Sequence, residues 1–81
     1  MNVHIYDTHV HTEQGEYIHF DVLVDDGNVD NVKHYAKKYL DSIGVKTEQI
    51  KQSRCNFCHS EVANPEVQSN IKNQGYSIIR L

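Results

Sequence analysis

Hydrophobic and polar residues alternate most cleanly along Tyr17 to Val24. Ile18, Phe20, Val22 and Val24 fall on one side, and Tyr17, His19, Asp21 and Leu23 on the other. A period of two is the signature of a strand with one face buried. Val3 to Val10 has the same character, and the intervening "HTEQGE" carries a glycine where a short hairpin loop needs positive φ. With the loop centred on Gln14, His9 stands opposite His19 and Asp7 opposite Asp21. A slip of one residue would set His9 against Phe20 on the apolar side, so the first register is expected.

Asp25-Asp26-Gly27-Asn28 breaks the pattern and offers capping side chains. Val29, Val32, Tyr35, Ala36, Tyr39, Leu40 and Ile43 then recur at helical spacing up to Gly44. That stripe should pack on the Ile18/Phe20/Val22/Val24 face. Residues 48–57 predict a weakly patterned third strand, short or at an edge. Asn64-Pro65 reads as an N-cap with proline at the first helical position, Val67 and Ile71 as a narrow apolar stripe, and Gly75 as the stop. "YSIIRL" predicts a fourth strand. The expected fold is α+β with elements in the order ββαβαβ: two layers, a mixed four-stranded sheet with both helices on one face.

Length makes residues 1–81 a single domain, with no room for a second core. Composition is that of a globular chain, 38% hydrophobic and 23% charged, without repeats or low-complexity stretches. The first residues have neither the basic nor the apolar region of a signal peptide, and no apolar run approaches a membrane span. The expected compartment is therefore cytoplasmic, where thiols stay reduced, and no membrane partner is expected.

The net charge of −3 conceals an asymmetry. Residues 1–30 hold seven carboxylates and no lysine or arginine, whereas residues 33–54 hold six cations against Asp41 and Glu48. An acidic half beside the basic segment argues against nucleic acid as a partner.

"CNFCH", residues 55–59, admits four readings. It spells a haem c attachment site, with Cys55 and Cys58 as thioether donors and His59 on the iron. Haem attachment takes place outside the cytosol, and the sole methionine is Met1, so haem is disfavoured. Zinc is the metal that Cys55, Cys58 and His59 could hold, but a closed structural site needs four ligands. The rest would come from His4, His9, His11 or His19, or from a second subunit. A thiol–disulfide pair would want Cys55 at a helix N-terminus, and the next helix begins only at Pro65. The leading reading makes the segment a strand-to-helix loop tucked into the core, with both cysteines buried and reduced.

"DTHVHT", Asp7 to Thr12, looks like the first-strand His-x-His motif of metal-dependent amidohydrolases and of polymerase-and-histidinol-phosphatase-type hydrolases. Those enzymes are barrels of about 250 residues, which this chain cannot build. The hairpin register itself gathers Asp7, His9, His19 and Asp21 on one sheet face, with His11 and Tyr17 nearby. That patch reads as a solvated face, as a pH-responsive surface, or as a site for zinc, nickel or copper. Val3, Ile5 and Leu23 continue the same face as an apolar strip that could seat a partner or form a homodimer.

The blocks "VHIYDT", "HFDVLV", "AKKYLDSIG", "RCNFCHS", "PEV" and "IKNQGYSI" together resemble a small bacterial family, domain of unknown function twenty twenty-four, over almost the whole length. The resemblance implies a compact α+β fold and no assigned activity. It places Asp7, Thr8, His19, Phe20, Asp21, Cys55, Phe57, Cys58, His59 and Gly75 within the family pattern. His9 and His11 depart from that pattern, which trims the hairpin metal site to Asp7, His19 and Asp21. With no nucleophile–base set, phosphate-cradling loop or complete metal triad, the sequence points to a non-enzymatic module that binds a protein or small molecule. The alternatives are a zinc or thiol-redox protein using the Cys-x-x-Cys-His segment, and a small enzyme using Asp7, His19 and Asp21.

Overall fold

The computed structural model describes residues 1–81 as four strands and two helices: β1 (Asn2–Thr12), β2 (Tyr17–Val24), α1 (Val32–Ser42), β3 (Ile50–Val62), α2 (Pro65–Gln74) and β4 (Ser77–Arg80). Short 3-10 segments over Asp26–Asn31 and Thr47–Gln49 lead into α1 and β3. The α+β class and the order ββαβαβ are as expected. Strand order is β3-β1-β2-β4, and all three pairings are antiparallel, so the sheet is not mixed. No helix is long and apolar enough to cross a membrane.

The hairpin register is the expected one, with Asp7 facing Asp21 and His9 facing His19. Gly15 adopts φ 87° in the loop. Its N–H donates to the Thr12 carbonyl at 3.0 Å, while the Thr12 hydroxyl accepts from the Glu16 N–H at 3.0 Å. Ile18, Phe20, Val22 and Val24 are buried against Val32, Ala36 and Leu40 of α1, with Tyr39 tilted over Phe20 at 4.7 Å between ring centroids. Val29, read from the sequence as the first residue of the α1 stripe, instead lies in the 3-10 segment and packs at the margin of this core.

The two helices lie on opposite faces, which corrects the two-layer arrangement. Val67 and Ile71 of α2 pack with Ala63 on Val3, Ile5 and Leu23, the side of the hairpin turned away from α1. Topology forces this placement. The β3–α2–β4 connection joins the two edges of the sheet, and the α1 face is already occupied. The apolar strip expected to seat a partner or second copy is thus the floor beneath α2. The helix has the termini its sequence predicts: the Asn64 Oδ1 accepts from the Val67 N–H at 2.9 Å, Pro65 opens the first turn, and Gly75 closes it at φ 95°. Asn70 donates to the buried Ser77 hydroxyl at 3.0 Å, which satisfies the polar group that α2 covers.

β3 is an edge strand, as expected, but it runs for 13 residues rather than a short stretch. Its side chains are almost all exposed, so what holds it is the backbone ladder to β1 rather than burial. Two register shifts leave Lys51 and Cys58 without partners on β1. Such bulges twist an exposed edge away from further pairing.

Candidate functional site

α2 is short and covers only the Val3/Ile5/Leu23 end of its face. The other end of that face stays open. There the alternation of β1 and β2 presents Asp7, His9 and His11 beside Tyr17, His19 and Asp21. Three of these groups meet directly. The Nε2 of His9 lies 2.7 Å from one oxygen of Asp7, and the Nε2 of His19 lies 2.5 Å from the other. The carboxylate therefore bridges two imidazoles, one from its own strand and one from the neighbour. Their rings stack at 4.2 Å between centroids. The far nitrogen of His9 meets the Tyr17 hydroxyl at 2.5 Å, and Tyr17 in turn stacks on His11 at 4.9 Å.

An ionised Asp7 can only accept, so the His9 Nε2–H donates to it, and in the neutral ring Nδ1 is left to accept from the Tyr17 hydroxyl. The His19 Nε2–H donates to the other Asp7 oxygen. The donation from His19, with that from His9, holds the Asp7 carboxyl below its ordinary value, although partial burial acts the other way. Asp21 moves in the opposite direction. Burial raises its pKa first, and the negative charge of Asp7 across the hairpin raises it further.

The signs of these shifts make a prediction. Asp7, with its lowered pKa, contributes stability above the ordinary carboxyl value, and that contribution is lost as pH falls through the lowered value. Asp21, with its raised pKa, costs stability while ionised; the cost is relieved as pH falls from its raised value to the ordinary one. Asp21→Asn should therefore be more stable than the parent near neutral pH, with the gain fading on acidification. Urea unfolding at about pH 7 and about pH 4 measures both points. A variant no more stable than the parent at neutral pH would refute the assigned cost.

Asp7, His9 and His19 offer three ligand atoms that all lie within 4.8 Å of one another. The structure thus brings His9 into the group from which the family resemblance had removed it. Asp21 sits beside the group as a second carboxyl. His4, counted in the sequence among the hairpin donors, points to the α1 side and contacts Ser60 at 2.7 Å and Asp26 at 2.5 Å.

Cys55, Cys58 and His59 are not brought together as a ligand set. They lie inside β3 rather than in a strand-to-helix loop, and an extended strand spreads its side chains over both faces. Cys55 pairs with Thr8 on the α1 side, half-buried, and its sulfur accepts from the Thr8 hydroxyl at 3.4 Å. Burial raises the Cys55 thiol pKa, against a smaller lowering by that hydrogen bond. Cys58 occupies the bulge and is exposed, with the His59 Nδ1 at 3.2 Å from its sulfur. The His59 Nε2 is 3.2 Å from Glu61. Phe57, in the segment expected in the core, is 57% exposed and makes a T-shaped contact with Tyr6 across the ladder.

A family model described as "Domain of unknown function (DUF2024)" matches residues 1–81. Among solved structures, the chain is similar to the NMR structure of protein NE1680 from Nitrosomonas europaea, a Northeast Structural Genomics Consortium target. The two share 40% sequence identity with a TM-score of 0.76, over 100% of this chain and 95% of that one. No curated protein matches the chain.

Proposed function

The chain belongs to the family described as Domain of unknown function (DUF2024), and we propose that it is a small binding module whose site takes one divalent transition-metal ion. One observation carries this reading: a carboxylate bridges two imidazole Nε2 atoms, with all three ligand atoms within 4.8 Å of one another. Two imidazoles and a carboxylate form a borderline donor set suited to zinc, nickel or copper. An ion taking the two Nε2 positions moves each imidazole proton to Nδ1, where His9 then donates to the Tyr17 hydroxyl oxygen, and it gains the charge of the Asp7 carboxylate. Tyr17 on the far nitrogen of His9 orients that ring, the task of an outer partner in metal sites. Asp21 can close a fourth position, and the open face leaves the rest to water or to a ligand atom of a partner. A cytoplasmic location accords with this role.

A second reading, proton transfer by Asp7, His19 and Asp21, is favoured by one observation: Asp7 hydrogen-bonds His19 while facing Asp21 across the hairpin, an arrangement that pushes the two carboxyl groups in opposite directions. An open sheet face gives a substrate little enclosure, so metal binding is preferred.

The test is a calorimetric titration of the untagged, EDTA-stripped protein with zinc, followed in parallel by NMR of the histidine rings. One equivalent should bind, the His9 and His19 resonances should move together, and affinity should fall as pH falls because the ligands must be deprotonated. Saturation that instead shifts His59 and disappears on alkylation of the thiols would assign the ion to the Cys-x-x-Cys-His segment and overturn the proposal.

A further inference from the structure

We infer that the opposite face of the sheet carries a second site, a cleft that binds a small organic anion with an apolar body. α1 packs over β2 rather than over β3, so the β3 side of that face is left uncovered. The gap is a cleft of ≈ 460 Å³. That is within the size range of small-molecule sites. Its apolar surface comes from Val10 on β1, Ala36 and Leu40 on α1, and Ile50 at the start of β3. Lys33 and Lys37 of α1 are its cationic lining residues; Arg54 pairs with His9 and so alternates away from Ser53 and Cys55 towards the opposite face.

No carboxylate lines the cleft, although the chain holds 11 acidic residues against 8 cations. Two features of the sequence produce this segregation. Seven of the carboxylates lie in residues 1–30, and the β1 residues that reach the cleft are Thr8 and Val10. The α1 positions 33, 36, 37 and 40 form one stripe, cationic at its start and apolar at its end. A ligand matched to that stripe has an anionic head, carboxylate or phosphate monoester, and a short apolar tail directed towards Leu40 and Ile50. Ser53 and Cys55, on alternate positions of β3, form the polar wall opposite the lysines. The site does not depend on the metal proposal, since Asp7, His9 and His19 project from the other face.

The probes are hexanoate, hexyl phosphate, hexanol and inorganic phosphate, each titrated into isotope-labelled protein. Hexanoate or hexyl phosphate should give saturable amide shifts at Leu40, Ile50, Ser53 and Cys55, and whichever binds tighter identifies the head group. Lys33→Gln with Lys37→Gln, both at exposed positions, should weaken that binding about tenfold. Ser53→Trp, also exposed, should block the cleft and abolish the shifts with an unchanged circular dichroism spectrum. His9→Ala should leave organic-anion binding intact. Hexanol binding as tightly as the anions would overturn the charge assignment, and inorganic phosphate producing the same shifts would overturn the apolar one. Absence of saturable shifts up to about 10 mM of either organic anion overturns the site itself.

Discussion

Alanine at Asp7, His9 or His19 should each weaken zinc binding about 100-fold or more, because outer-partner losses alone reach that size in metal sites. The three positions are not equivalent in what they leave behind. Asp7→Ala removes the carboxylate that accepts from both rings, so the two stacked imidazoles lose their shared partner. His9→Ala or His19→Ala leaves Asp7 with one imidazole partner, and its pKa should rise back towards the ordinary value. His4→Ala and Cys58→Ser are the controls, since neither side chain belongs to the group. Competition against a chelator of known affinity reads all five variants. Equal losses at His4 and His9 would show that zinc is held by scattered histidines rather than by this bridge.

Phe20→Ala should cost about 3–5 kcal/mol, a large part of the ~5–15 kcal/mol that holds a small domain together. Phe20 is fully buried at the centre of the hairpin's α1 side, beneath Tyr39 and among the aliphatic residues of β2. No neighbour can move in to fill the space, because the sheet beneath is held by ladders on both sides of β2. A melting temperature lower by about 12 °C or more is expected for a domain of this size. The chain's other phenylalanine, Phe57, is the internal comparison. It is 57% exposed on the edge strand, and Phe57→Ala should cost less than about 1 kcal/mol. Denaturant unfolding followed by circular dichroism measures both, and similar losses at the two positions would contradict this placement of the core.

The hairpin and both helix termini at Gly44 and Gly75 were legible because each rests on a local rule. Alternation over Tyr17 to Val24 admits one register once a slip would bury an imidazole, and Asn64, Pro65 and Gly75 each satisfy a backbone requirement within one turn. The same local rules put Asp7, His9, His19 and Asp21 on one face. They could not show that the Asp7 carboxylate splits its oxygens between the two imidazoles, which is a matter of side-chain rotamers.

β3 leaves little trace in the hydrophobic pattern for a physical reason. An edge strand gains its stability from backbone hydrogen bonds, and those leave no hydrophobic pattern in the side chains. "CNFCH" therefore resembled a loop, and its cysteines were expected to be buried. The face chosen by α2 was equally out of reach. Val67 and Ile71 state that the helix needs an apolar floor, and Val3, Ile5 and Leu23 state that a floor exists. Nothing local joins the two. That pairing follows only from the order β3-β1-β2-β4, which sends the last connection from one edge of the sheet to the other across the face that α1 leaves free. Local residue chemistry determined the hairpin with its register, both helices and the imidazole–carboxylate patch. Long-range strand order decided which half of that patch's face is covered, where the thiols stand, and that a cleft opens beside α1.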